Sequence, residues 1–582
     1  MKTIKRIIGT VGTALVVLLT FYACDVDSFL DVNPQGSLSA NVLANQDGVE
    51  ANLIAAYSML DGYGDYGGWG TAASNWTFGS VTTDNAYKGS EPGDQQPITD
   101  IEFFQWNTSG TDGYLNDKWT VNYDGINRAN ATIKLLNQVQ ESSGEISDSD
   151  ANSIRGEATF LRAHYHFEAW KMWKNIPYYT EEDTDFRKPN TGTDPIANIL
   201  ADLDQAISLL PATQGDVGRV TQWTARAYKG RVQAYTGDWQ GALTTLREVE
   251  QSGPYALEED YRQVFSVLNE NGPETILAYQ ASTNDGDNDG DNGNYPDRLN
   301  FPHAGSPFGC CGFHQPSQNL VNAFRVNSEG LPMPLTDPNT WNDNDDNFAA
   351  GDMTPVDPRL DWTVGRDGVP YLDYAIHEPG WIRDRAWAGP YSPKKNVYEQ
   401  SSGVGSSVGW AGYQLNAQNL HLYRYADLLL LLAEAEVQAG SLDNARQIVN
   451  RIRTRAAQVA QGPVGNPRVP IDDPSITWAN YEIGTYPAGS PHFADKASAL
   501  RAVQMERRLE LAMEGHRYFD LRRWGIAQET INQYLEVEQT RREYLTGADQ
   551  YSDRNELYPL PTVQIELSTV NGEQRLVQNP GW

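Results

Sequence analysis

The run Gln504-Met505-Glu506-Arg507-Arg508-Leu509-Glu510-Leu511-Ala512-Met513-Glu514-Gly515-His516-Arg517-Tyr518-Phe519-Asp520-Leu521-Arg522-Arg523-Trp524 decides how the rest of this 582-residue chain is read. Met505, Leu509, Ala512 and Met513 recur at i, i+4, i+7 and i+8, one apolar stripe of a helix. Glu506, Glu510 and Glu514 stand four apart on a neighbouring face, where carboxylates repel unless cations from elsewhere lie between them. Tyr518, Phe519 and Trp524 crowd the same stretch, which a solvated face does not require. The reading is a helix packed inside a helical array, its charges paired to other helices.

Working outward, a second charged segment supplies candidate mates. Tyr423-Arg424-Tyr425-Ala426-Asp427 enters the five leucines Leu428 to Leu432 and then Ala433-Glu434-Ala435-Glu436. A helix apolar all round is buried, so Arg424, Glu434 and Glu436 are expected to face the charges of 504–524. This segment belongs to a tetratricopeptide-like hairpin, Arg424 to Arg455, that turns at Gly440-Ser441-Leu442-Asp443. Ala225 to Val249, turning at Gly237-Asp238-Trp239, is another. Two such units cannot stand alone as a solenoid and must lean on further helices. Those are expected at Asp47 to Leu60, Leu115 to Gln138, Ala151 to Trp173 and Asp194 to Leu210, the last begun by Asp194-Pro195 and stopped by Pro211. The fold class is mainly α with a loop-rich, minor-β subregion. A helical core at about 40–271 and 419–535 carries loop-rich insertions at 61–110 and 272–418, within a single domain, 24–582.

The pattern ERRLELAMEGHRYFDLRRWG resembles the C-terminal signature of the SusD/RagB family of lipoproteins, surface glycan-binding partners of TonB-dependent transporters. Arg155 to Tyr165 resembles that family's EARFLRAYY-like helix, and Leu557-Tyr558-Pro559-Leu560-Pro561 with Gln578-Asn579-Pro580-Gly581-Trp582 resembles its tail. The order of these blocks is more specific than any one of them. The resemblance implies a SusD-like α-helical domain that captures an oligo- or polysaccharide and passes it to a SusC-like transporter without catalysis. The RagB branch leaves peptide cargo as the alternative.

The amino end reads as an address. Lys2, Lys5 and Arg6 precede an apolar run to Tyr22, too short for a stable span, so residues 1–23 are expected to be an export signal. Ala23-Cys24 resembles a lipoprotein processing site, although Phe21 and Tyr22 are bulkier than usual. Cys24 is then the acylated anchor to the outer membrane, and Asp25 and Asp27 resemble a surface-export tag.

Bulk numbers exclude some classes. A net charge of −32 argues against nucleic acid as a partner. Three cysteines make no disulfide framework and no CxxC metal pattern. There is no G-x-S-x-G elbow, HExxH or P-loop, and acidic residues in number do not identify the opposed pair a glycoside hydrolase needs. No cofactor is required.

Sugar recognition needs flat rings to stack on the C–H face of a pyranose and planar polar groups for its hydroxyls. The loops hold both, and the candidate ligand residues are Trp76, Asp84, Asn85, Tyr87, Tyr295, His303, Cys310, Cys311, Phe313, His314, Trp381, Arg383 and Trp387. Each ring has the competing duty of pinning its loop to the body. Cys310-Cys311, flanked by Gly309 and Gly312, can close a small ring and form a flat apolar knob under a sugar, or be a reduced or merely structural pair. Asp285, Asp287 and Asp289 match the opening of a calcium loop, but its last position is Pro296 where glutamate is needed. A structural calcium there competes with a solvated turn. The glycan is not legible, and neutral glucans such as laminarin or starch are the first guess.

Overall fold

The computed structural model describes residues 43–63, 68–142, 145–286, 288, 290, 292–344, 347–408 and 414–582. The expected signal, Cys24, Asp25 and Asp27 lie outside them, as do Asp287 and Asp289. The longer helices are α1 (Gln46–Tyr57), α2 (Gln96–Glu102), α3 (Ser109–Ser142), α4 (Asp148–Trp173), α5 (Pro195–Leu209), α6 (Gln222–Thr236), α7 (Trp239–Ser252), α8 (Tyr425–Ala439), α9 (Leu442–Ala456), α10 (Lys496–Glu510), α11 (Arg517–Arg523) and α12 (Ala527–Arg541). The strands that matter are β1 (Ala86–Gly89), β2 (Thr275–Tyr279), β3 (Phe313–Pro316) and β4 (Leu420–Arg424).

Local chemistry sets the helix ends. Asp194 accepts from the backbone N–H groups of Ile196 and Ala197 with Pro195 in the first turn, and Asn45, not Asp47, caps α1. Thr221 and Thr224 form a capping box at α6, whose C-terminal Gly237 takes φ +79° before Asp238 caps α7. Antiparallel neighbours then stack in order, α3 on α4, α4 on α5, α5 on α6, α6 on α7. The chain leaves for the long insertion after α7, yet α8 packs directly on α7, with α9 and α10 on α8. The two tetratricopeptide-like hairpins, α6–α7 and α8–α9, are thus adjacent layers of one array. β2 pairing antiparallel with β4 at the base of the insertion closes the gap.

The 504–524 run is not one helix. α10 starts earlier, capped by Asp495, and ends at Glu510; α11 starts at Arg517. Between them Met513 and Gly515 adopt φ of +64° and +73°. The cause is tertiary. A Cβ on Gly515 would lie 1.7 Å from the Ser74 carbonyl oxygen, and one on Gly79 1.9 Å from the Gly515 oxygen, so two backbones meet where no side chain fits.

The expected charge pairing is present. Arg424 donates to Glu510 (2.8 Å) and to Glu514, and Arg523 and the Trp524 indole donate to Glu434. Glu436 departs from expectation: it pairs with Arg247 of α7 and accepts from the Ser441 N–H at the hairpin turn. The central network joins Glu274, Asp357, Glu506, Glu510 and Glu514 to Arg359, Arg424, Arg453, Arg455 and Lys395, five carboxylates against five cations. Burial alone would raise the Glu510 pKa, but Arg455, Arg424 and Arg359 outweigh it and hold it at about 2.

The insertions are less loose than their composition suggests. They carry an apolar core of their own that includes Phe301, Phe308, Trp362, Tyr371, Trp381 and Tyr398. β1 of the first insertion pairs antiparallel with β3 of the second, Gly89 opposite Phe313.

Candidate ligand-binding face

The β1–β3 pair positions the site. Cys310 and Cys311 form a disulfide in the turn that leads into β3. Gly309 and Gly312, at φ +79° and +82°, allow the chain to turn on both sides of it. Four hydrogen bonds fix the turn. The Gly312 N–H donates to the Phe301 carbonyl (2.7 Å), the Ser90 N–H donates to the Gly312 carbonyl (2.6 Å), and Gln414 Nε2 donates to the carbonyls of Phe308 (2.5 Å) and Cys310 (2.9 Å). Cys311 is buried against the main core and Cys310 is half-exposed, so the knob shows one of its two residues to solvent.

Around it lies a polar rim. The His303 N–H donates to the Trp381 carbonyl (2.9 Å), which holds the half-buried imidazole beside the turn. Burial, and then the Arg383 charge, lower its pKa, so the ring is neutral at pH 7. Arg383 donates to Ser90 Oγ (3.1 Å), Asp94 (2.8 Å) and Glu91 (2.5 Å). Lys88 of β1 donates to the carbonyls of Glu91 (2.8 Å) and Asp94 (2.7 Å), and its ammonium lies 5.4 Å from the Trp387 ring. Trp387 is half-buried and stacks on Tyr544, centroids 3.9 Å apart. Through these contacts His303, Cys310, Cys311, Arg383 and Trp387 belong to one contiguous face. Glu91 and Asp94 complete it, and the buried Ser90 and Gln414 brace it from beneath. The sequence reading missed these four, although Glu91-Pro92-Gly93-Asp94 is a turn with acidic ends.

The other candidates are buried. Trp76 is fully buried and donates to the Pro296 carbonyl (3.4 Å). Asp84 is buried between Arg508 (3.1 Å) and Arg517 (2.8 Å); burial would raise its pKa, but the two guanidiniums hold it at about 2. Asn85 accepts from Arg508 Nε (3.0 Å), and the Tyr87 hydroxyl donates to Glu538 (2.5 Å). Tyr295 stacks on Trp69, with the Arg298 guanidinium 3.5 Å from its ring centre. Phe313 and Trp381 fill apolar cores, and His314 is buried deeply enough that its pKa falls to about 3. The rings pin the long insertions to the body together with aliphatic side chains such as Leu320, Val321 and Leu360, while Asp84 and Asn85 are held by arginines.

At the expected calcium loop, Asp285 accepts from Asn292 (2.8 Å). Among the described residues no group of three or more His, Cys, Asp or Glu side chains is placed to hold a metal, and no helix is long and apolar enough to cross a membrane. A cavity of about 330 Å³ is on the helical side, between α3, residues 177–188 and the C-terminal helix Thr562–Leu567. Tyr123, Tyr179 and Phe186 line it, and none of the sequence-predicted residues reaches it.

Residues 273–582 match a family model described as the SusD family, and residues 28–233 match one described as starch-binding, associating with the outer membrane. SusD-like protein P38 of Formosa agariphila is 25% identical over 559 residues, 91% of this chain and 94% of that one. A SusD-like protein of Bacteroides ovatus is 25% identical over 278 residues, 45% of this chain and 48% of that one. Among solved structures, a laminarin binding SusD-like protein superposes with a TM-score of 0.62 at 23% identity, covering 92% of this chain and 100% of its own. Surface glycan-binding protein A from Bacteroides thetaiotaomicron, in complex with laminarihexaose, superposes with a TM-score of 0.62 at 19% identity, covering 92% and 99%. With a family model spanning more than half its length, this chain belongs to the SusD family.

Proposed function

We propose that this protein is a cell-surface lipoprotein, anchored through Cys24, that binds an oligo- or polysaccharide on the β1–β3 face without breaking a bond in it. It delivers the glycan to a SusC-like TonB-dependent transporter in the outer membrane. The observation that carries the reading is the Cys310–Cys311 turn, a rigid sulfur knob rimmed by neutral His303 and the Arg383–Glu91–Asp94 group. Sulfur offers a polarisable apolar surface to sugar C–H groups, while the rim supplies charged and neutral partners for hydroxyls. The similar solved structures whose names mention laminarin and laminarihexaose favour a neutral glucan as ligand. The helical side, away from this face, is the surface offered to the transporter.

The test is affinity electrophoresis of the purified chain through gels containing laminarin, starch and a panel of other glycans. Retardation by at least one glycan, with no shortening of it on prolonged incubation, is the expected outcome. Cleavage of the retarding glycan, or mobility unchanged across the whole panel, contradicts the reading. Purification of the native complex is expected to bring a TonB-dependent barrel with the chain.

A further inference from the structure

Between the second insertion and the Met513 break lies a polar cavity of about 30 Å³, room for about two water-sized occupants. Five atoms on side chains that line it have no hydrogen-bond partner among the described residues: Tyr279 Oη, Asp297 Oδ2, Asn300 Oδ1, His314 Nε2 and Gln418 Oε1. Three of the five, the Asp297, Asn300 and Gln418 oxygens, can only accept. Gln418 Nε2 donates to the Phe265 carbonyl (2.6 Å) and Asn300 Nδ2 is turned to Asp297 Oδ1 (3.5 Å), which leaves the two amide oxygens over. Ser74 also donates to Asp297 Oδ1, while Oδ2 receives nothing.

The nearby cations are committed elsewhere. Lys394 donates to the Pro370 carbonyl (3.0 Å) and Lys395 to Glu514 (2.6 Å). Lys118 is the cation whose charge acts on Asp297, but its ammonium donates to the Ala72 carbonyl (3.0 Å) and makes no ion pair with the carboxylate. Burial prevails over the Ser74 hydrogen bond and over Lys118, and lifts the Asp297 pKa to about 6. A buried carboxylate without an ion pair is not by itself a site, since Glu102 is another. Here two further acceptor oxygens share the cavity, and carboxylate with amide oxygens is the donor set that hard metal cations take.

We propose that this cavity binds a sodium ion, held by Asp297 Oδ2, Asn300 Oδ1 and Gln418 Oε1, with Tyr279 Oη or a water filling out the shell. One carboxylate among neutral oxygens balances a single positive charge; a divalent ion would leave a charge unmatched beside Lys118. The ion joins the segment 294–301 to β2 and to the entry of β4. Phe301, the neighbour of Asn300, supplies the carbonyl that receives the Gly312 N–H (2.7 Å), so the ion steadies the disulfide turn from below. Sodium binding stands apart from the sugar reading, because it is measured with no glycan present.

The test is urea unfolding of the whole mature chain at pH 7 in sodium chloride and in choline chloride of equal ionic strength. Broadening of the sodium NMR line by the folded protein is the direct readout of binding. Sodium should raise the wild-type midpoint in a saturable way, as any ligand of the folded state alone does. Asp297→Asn should weaken sodium binding by more than about tenfold, since ligand charge sets affinity in oxygen sites. Asn300→Asp adds a second carboxylate and should let calcium chloride stabilise the chain where it does not stabilise the wild type. Glu102→Gln, which removes the other unpaired buried carboxylate, should keep the sodium increment. Midpoints in choline chloride report whether each variant is folded; if Asp297→Asn is not, the calcium gain in Asn300→Asp decides. Equal wild-type midpoints in sodium and choline, as buried waters alone would give, overturn the proposal. So does a folded Asp297→Asn that keeps the full sodium increment, or an Asn300→Asp indifferent to calcium.

Discussion

Removing one charge from the central network is the sharpest way to test how the array is held together. Glu510 accepts from Arg359 (2.9 Å), Arg424 (2.8 Å) and Arg455, and all four side chains are at most 3% exposed. Because the network holds five carboxylates and five cations, Glu510→Gln keeps the shape but leaves one positive charge without a partner. Breaking a buried pair by removing one member costs about 3–5 kcal/mol, most of it the penalty of the stranded ion. The assay is urea unfolding followed by tryptophan fluorescence at pH 7. Arg455→Met in the Glu510→Gln background restores neutrality, so the double variant should be less destabilised than the sum of the singles by about 1–3 kcal/mol. A Glu510→Gln loss below about 1 kcal/mol, or strict additivity of the pair, would refute the claim that charge balance holds β4, α9 and α10 together.

Four further outcomes follow from particular contacts. The folded Asp84 carboxylate sits at about 2, below its unfolded value of 3.8, so its ionised form stabilises the fold above that unfolded value. The stability gap between wild type and Asp84→Asn should be full at pH 5 and above and should shrink as pH falls towards 2; pH-dependent urea midpoints read this directly. Gly515→Ala places a Cβ at 1.7 Å from the Ser74 oxygen at a φ of +73°, and should lower the melting temperature by more than Gly465→Ala, where nothing lies within 4 Å. Trp381→Ala empties part of the insertion core and should cost about 3–5 kcal/mol of stability. Phe186→Ser, on the helical-side cavity, should leave glycan binding unchanged.

What could be read from the chain alone follows the range of the forces involved. Glu506, Glu510 and Glu514 at four-residue spacing announced a cation-filled network because i, i+4 repulsion is local and visible in sequence. Helix caps such as Asp194-Pro195 and the turn at Gly237-Asp238 were legible for the same reason. The break at Met513–Gly515 was not, since it is imposed by the approach of residues 74–79. Asp84 and Asn85 resembled ligand groups because they stand among loop aromatics. Their partner Arg508 lies more than 420 residues away, beyond any spacing argument. Rings in the insertions carried the same ambiguity between stacking on a sugar and pinning a loop. Trp76, Tyr295, Phe313 and Trp381 are packed into the body, each at most 4% exposed. The adjacent cysteines were distinctive in sequence, but which of the two faces solvent depends on Gln414, reached only through the fold.

The central claim is that the sulfur knob on the β1–β3 face carries the glycan. The most direct measurement is titration calorimetry of the retarding glycan against the wild type and the Cys310→Ser/Cys311→Ser variant, with urea midpoints confirming that both are folded. Losing the apolar sulfur contact should weaken the dissociation constant by about tenfold, about 1.4 kcal/mol. The account predicts that loss in the variant and in wild type treated with reductant. Affinity unchanged in a folded variant would contradict it.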